Sequence, residues 1–281
     1  MQPIFDTTKP DESNKLRSQT GNSAQTRSYS PEEAKDILEK AILGIKEASE
    51  SALGQPVTIK AISVPQYFPN AALETFVAAA RKALPSFTIP FQAQRFVSAA
   101  RLAYRMNTCE GLGLNSSNCD IHHGPHFVLF VNLNTQHLEI TMADLTEDIV
   151  GVIDRRLFLH LGEQSRLDDG AIWLQHVTEQ LEEFMRANFD ADEEESHSLE
   201  DLQAVVLSGE ADAAAAQELQ TVIRSVLKGR EHIIRHTVDP KYVGAVGAAY
   251  WAKLQGDRPE MFRDSLVGTH GGDDSIVHNE L

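Results

Sequence analysis

Asn132, Asn134, Thr135 and Glu139 sit where two strand-like runs, 127–133 and 137–143, meet at a tight turn over Asn134-Thr135-Gln136. Such a turn could hold phosphate if glycines let backbone N–H groups close around its oxygens and a carboxylate fixed a metal beside it. Here the turn has no glycine, and the residue before Leu133 is the neutral Asn132. The frame of a phosphate site is present without its chemistry. Cys109, Cys119, His122 and His126 form a second set that could supply four zinc ligands. Their uneven spacing matches no common zinc module, and a solvated polar loop is the simpler reading. Gly111-Leu112-Gly113 lacks the third glycine and the preceding strand of a dinucleotide fingerprint. His160 has no nucleophile paired with it in sequence and reads as a structural residue at a strand end. Glu139 alternates with Leu138 and Ile140, so it faces away from their side of the strand. It reads as a solvent-facing strand acid, with a remnant metal ligand as the alternative.

The elements that must position these residues alternate between strand and helix. Ser30-Pro31-Glu32-Glu33 is a capping box that starts a helix, with Ala34, Ile37, Leu38, Ala41, Ile42 and Ile45 on one face and a stop at Gly54. Residues 57–64 (VTIKAISV), ended by Pro65, predict a strand. Asn70 caps a helix through Leu84; a short strand over 87–91 and a helix over 92–106 follow. A polar loop over 107–125 leads into the two strands at the turn and a third near 149–159. Residues 168–187 predict a helix with Ile172, Val177, Leu181, Phe184 and Met185 inward. After an acidic loop over 190–201 come a buried strand (203–208), a helix (213–227), a short strand (232–236) and a final helix (242–255). Asp192 to Glu195 (DEEE) reads as a solvated acidic stretch, with a docking patch as the lesser reading. Alternating strands and helices predict α/β layers. Residues 1–29, polar and without periodicity, read as a disordered arm, 30–256 as the core and 257–281 as a tail.

Composition bounds the function. A chain of 281 residues, 42% of them hydrophobic, can bury a substantial core. Its formal net charge of −16 repels nucleic acid and anionic membranes, so neither is an expected partner. No apolar run approaches the roughly 20 residues that span a bilayer, and the first residues have no apolar signal-peptide core. The closing His-Asn-Glu-Leu loosely echoes a retention tail that has no use without such a signal. Two cysteines make no disulfide framework and suit a reducing compartment, which predicts a cytoplasmic protein.

Four segments in order carry a resemblance: 57–68 (VTIKAISVPQYF), 98–104 (SAARLAY), the strand pair 127–141, and 205–209 (VVLSG) followed by 238–249 (VDPKYVGAVGAA). Together they resemble the ATPase domain of the 70-kDa heat-shock chaperones, within the actin-like ATPase superfamily. The resemblance covers about 30–255, and its weight lies in order and spacing, not in any single motif. It implies an α/β, abridged actin-like ATPase (ribonuclease H-like) fold with two partial lobes. It also implies a fungal source, because such degenerate relatives occur widely in filamentous fungi.

The departures from that family point to lost catalysis. The family's second phosphate loop reads Asp-Leu-Gly-Gly-Gly-Thr and then Phe-Asp. The corresponding residues here are Asn132, Leu133, Asn134, Thr135, Gln136, His137, Leu138 and Glu139, so only the last acid persists. Phe96 replaces a family glutamate and Lys241 a family aspartate. Ser208-Gly209-Glu210 keeps part of an adenosine-contact turn, with Glu210 in place of its second glycine. Phe5-Asp6-Thr7-Thr8 only echoes the first phosphate loop, and the lysine-bearing region of the family has no counterpart. Phosphoryl transfer rests on backbone donors, a lysine and Mg²⁺, and each lost element of this kind costs about 10²–10³ in rate. The resemblance therefore implies a non-catalytic, chaperone-like binding module with protein partners and no cofactor, lacking a substrate-binding domain. The alternative is a residual nucleotide (ATP/Mg²⁺) binder or weak ATPase completed by a partner chain. An unrelated enzyme built on the same cleft has no residue constellation behind it.

Overall fold

The computed structural model describes residues 29–257, apart from 116, 118, 124, 148 and 190–196. The arm over 1–28, its Phe5–Thr8 echo, the DEEE run and the tail beyond 257 lie outside the described residues. The architecture is mixed α/β. Helix α1 (Pro31–Leu53) begins as its sequence dictates: Ser30 Oγ accepts from the Glu33 amide, the Glu33 carboxylate accepts from the Ser30 amide, and Gly54 closes the helix in the left-handed conformation. Strand β1 (Ile62–Val64) pairs in parallel with β2 (Ala93–Arg95), and helix α2 (Asn70–Ala83) joins them. Ile42 of α1, Phe76 and Ala80 of α2, and Val64, Leu84 and Phe87 form the core of this part.

The larger part is a five-stranded sheet in the order β5-β4-β3-β6-β7, from β3 (Phe127–Leu133), β4 (Leu138–Leu145), β5 (Val150–Phe158), β6 (Leu202–Ser208) and β7 (Ile234–Arg235). The pairs β3–β4 and β4–β5 are antiparallel, whereas β3–β6 and β6–β7 are parallel. Both faces of the central strands β3, β4 and β6 are covered, while the edge strand β5 stays partly exposed. Helices α4 (Glu163–Asp168), α5 (Gly170–Phe189) and α6 (Ala213–Val226) lie on the chain between β5 and β7. Val177, Leu181 and Phe184 of α5, with Leu219 and Ile223 of α6, pack on Leu129, Val131, Leu138, Ile140 and Met142. Helices α3 (Phe96–Ala103) and α7 (Val243–Asp257) supply Val97, Ala100 and Val243 to the opposite face, against Val128, Phe130, Ala143 and Val206. Double burial explains why β3 and β6 read as nearly continuous apolar runs.

Several sequence expectations are corrected. The strand over 57–64 shrinks to three residues, because side chains satisfy the backbone before it: Ser86 Oγ donates to Ile59 O, and Gln92 Nε2 to Lys60 O. No strand forms over 87–91; the Thr88 and Ile89 amides donate to Gln92 Oε1, Pro90 has no amide to give, and pairing starts at Ala93. The helix over 92–106 is therefore shorter, Phe96–Ala103. The helix over 168–187 divides at Asp169, whose carboxylate accepts from the Ile172 amide. Within it, Trp173 is buried and Ile172 is 52% exposed, because the Trp173 indole N–H reaches Leu161 O at 3.0 Å. Cys109 and Cys119 are not free thiols: they form a disulfide within the polar loop.

Candidate functional site

The sheet creates a cleft where β3 and β6 end side by side and in parallel. Ligands of open α/β sheets gather in such crevices, beyond the carboxyl ends of the strands. The cleft measures about 390 Å³ and is walled by Asn132, Asn134, His137, Gly209, Glu210 and Lys241, with Ser63 and Tyr67 from the smaller part and Phe96 and Gly244 from α3 and α7. Gln66 ties the two parts together beneath Tyr67: its side-chain oxygen accepts from the Val97 amide at 3.2 Å, and its carbonyl accepts from Arg155 at 2.8 Å. Tyr67 then meets His137 edge-on, with ring centres 5.1 Å apart.

Gly209 makes the mouth of the cleft possible. Its φ is +121°, and a Cβ there would stand 1.9 Å from the Leu133 carbonyl oxygen. Only glycine lets β6 turn this close to the end of β3. Immediately beyond, the Glu210 amide donates to Asn134 Oδ1 at 3.3 Å, and Thr135 Oγ1 donates to the Glu210 carboxylate at 3.2 Å. The β3–β4 turn is further fixed by the Asn134 amide on His137 O at 2.9 Å and by the Glu163 and Gln164 amides on the carbonyls of Asn134 and Thr135. Two loops that flank the cleft are thus bonded to each other and not held open toward a ligand.

Beneath the wall, one row of polar side chains crosses three strands. Asn132 pairs in register with Glu139 on β4 and with Ser208 on β6. Glu139 is 1% exposed and Ser208 is also buried. Neither Glu139 oxygen nor Ser208 Oγ has a hydrogen-bond partner of ordinary geometry. Burial pushes the Glu139 carboxyl up to about 7; nearby Arg155 and the Asn132 amide only partly draw it back. Burial also raises the Tyr67 phenol, helped by the charges of Glu139 and Glu210. His137 is lowered by burial, against the pull of Glu210, and so stays neutral near pH 7.

The expected site residues are therefore brought together unevenly. Asn132, Asn134, Gly209 and Glu210 line the cleft, and Thr135 joins through its bond to Glu210. Ser208 and Glu139 lie under the wall. The expectation of a solvent-facing Glu139 is corrected: it does face away from Leu138 and Ile140, but that second face is buried too. Tyr67, Ser63 and Gly244 also line the cleft, although sequence reasoning gave them no role. All three lay within segments that carried the resemblance, which was the one available signal. The four zinc candidates are otherwise engaged: the cysteines bond each other, His126 Nε2 meets Asp120 O at 3.1 Å and His122 Nε2 meets Glu147 at 2.9 Å. Among the described residues no cluster of three or more His, Cys, Asp or Glu could hold a metal ion. No protein-family model and no curated protein matches the chain.

Proposed function

We propose that the chain is a non-catalytic, chaperone-like binding module on an abridged actin-like ATPase fold, with ATP hydrolysis lost. The observation that carries this reading is the bonding of Glu210 to the β3–β4 turn. Its amide is given to Asn134, and its carboxylate stands beside Thr135 at the mouth of the cleft. A polyphosphate arriving there meets a like charge where it needs donors. Asn132 supplies no charge for a metal, and the nearest strand acid, Glu139, is sealed and half neutral near pH 7. Protein partners, and no nucleic acid or membrane, belong to the same proposal; the charge of −16 supports it, and no described helix is long and apolar enough to cross a membrane. A cytoplasmic site of action also belongs to it and requires Cys109 and Cys119 to be tolerated as thiols there.

One observation favours the second reading, a residual nucleotide binder: the cleft persists, with Lys241 on its wall. Phosphate release and thermal melting with Mg²⁺-ATP or ADP separate the two. The proposal expects turnover at background and no shift in melting temperature. Ligand at about 100 times its Kd would add roughly 2.7 kcal/mol and raise the melting point plainly. A saturable rise that Lys241→Glu abolishes would establish the nucleotide binder instead.

A further inference from the structure

Helix α1 spends most of one face on solvent. It has 23 residues, about 34 Å of helix, yet Ile42 is its one fully buried side chain. Ile37 and Ile45 are 47% and 58% exposed. Ile37, Ala41, Ile45, Ala48 and Ala52 follow one another at helical spacing on the exposed side, with Gly44 among them. Gly44 is unexplained within the chain: a Cβ there would meet nothing within 4 Å, and glycine in mid-helix is costly. A glycine kept in such a place fits the close approach of another helix.

We propose that this face docks on the same face of a second copy of the chain, the two α1 helices running antiparallel about a twofold axis near residues 42 and 43. Charge complementarity selects this occupant and this direction. Lys40 and Glu47 are exposed and seven residues apart, on one flank of the apolar face. Antiparallel pairing sets Lys40 of each copy beside Glu47 of the other, twice by symmetry. The same register places Ile37 against Ala48 and Ala41 against Gly44 of the other copy, large on small and then small on small. Ile45 lies toward Leu38 of the other copy on the second flank. Parallel pairing would instead set Lys40 beside Ile45 and Glu47 beside Ala52, leaving both charges against apolar side chains. No residue of α1 lines the cleft.

Sedimentation of the full chain over about 1 to 100 µM tests this, since a homodimer must follow mass action. The expected result is a concentration-dependent dimer. Lys40→Glu alone and Glu47→Lys alone should each weaken it at least tenfold, and the double exchange should restore it. Gly44→Leu should give a monomer whose melting temperature, measured at high dilution, is equal to or above that of the parent, which separates a blocked contact from a failed fold. A monomeric parent at the highest concentration overturns the proposal. A dimer indifferent to Gly44→Leu, or single charge reversals that the double exchange does not rescue, overturns it as well.

Discussion

Asn132 and Glu139 are direct cross-strand partners on β3 and β4, yet one walls the cleft and the other is sealed beneath it with neither carboxyl oxygen holding a hydrogen bond of ordinary geometry. The pair sits where a metal-binding nucleotide site would want charge that can be reached. It supplies instead a neutral amide above and an acid that burial holds half protonated near neutrality.

That acid sets a pH dependence. Its carboxyl is raised in the folded state from 4.5 to about 7, so the folded protein binds more protons than the unfolded chain between those values. Stability is therefore unpenalised below pH 4.5 and falls as pH rises toward 7, by roughly 3 kcal/mol at most. Glu139→Gln should flatten this part of the profile and be the more stable protein at about pH 8. Urea unfolding of both proteins across the interval is the check. Parallel profiles would show that the carboxyl reaches water.

Gly209→Ala should be costly out of proportion to its size. The added Cβ would meet the Leu133 carbonyl at 1.9 Å with φ at +121°, and the nearest atoms are all backbone of Leu133 at the end of a packed strand. A loss of about 3 kcal/mol is expected, since neither strand end can move without opening the β3–β6 pair. A change under about 1 kcal/mol would mean that the two strands do not approach as described.

The disulfide predicts that native protein contains no titratable thiol under oxidising conditions. The bridged cysteines are 10 residues apart in sequence, so reduction or Cys119→Ser should cost roughly 2 to 3 kcal/mol on the loop-entropy account. Thiol titration with and without denaturant, followed by melting with and without reductant, measures both. Two reactive thiols in protein freshly isolated without reductant would place the native chain in its reduced form and support a cytoplasmic site of action.

Adjacent residues on α5 should behave oppositely. Trp173→Ala removes a buried indole and its hydrogen bond to Leu161 O, for a loss of about 3 to 5 kcal/mol. Ile172→Ala, at 52% exposure, should change stability by no more than about 0.5 kcal/mol. Chemical denaturation of the two variants decides whether the helix is rotated as described.

Where local chemistry was sufficient, the sequence was legible. The capping box at Ser30–Glu33 and the stop at Gly54 delimit α1, because each is satisfied by bonds within a few residues. The strand-like apolar runs fixed β3 at Phe127–Leu133 and came within two residues of the bounds of β4 and β5. The same local pattern placed Glu139 opposite Leu138 and Ile140, but it could not say what covers that side. Only the fold over that second face, where Tyr67 and Arg155 come close to it, made the acid a buried one. Likewise only tertiary structure could bring Glu210 to Asn134, join Cys109 to Cys119, turn Trp173 inward in place of Ile172 and shorten β1 to three residues. Each of those outcomes depends on contacts between segments distant in the chain or on competition among local partners for a backbone group. Periodicity and capping carry no information about either, because they report a residue's relation to its own helix or strand and not to what folds against it.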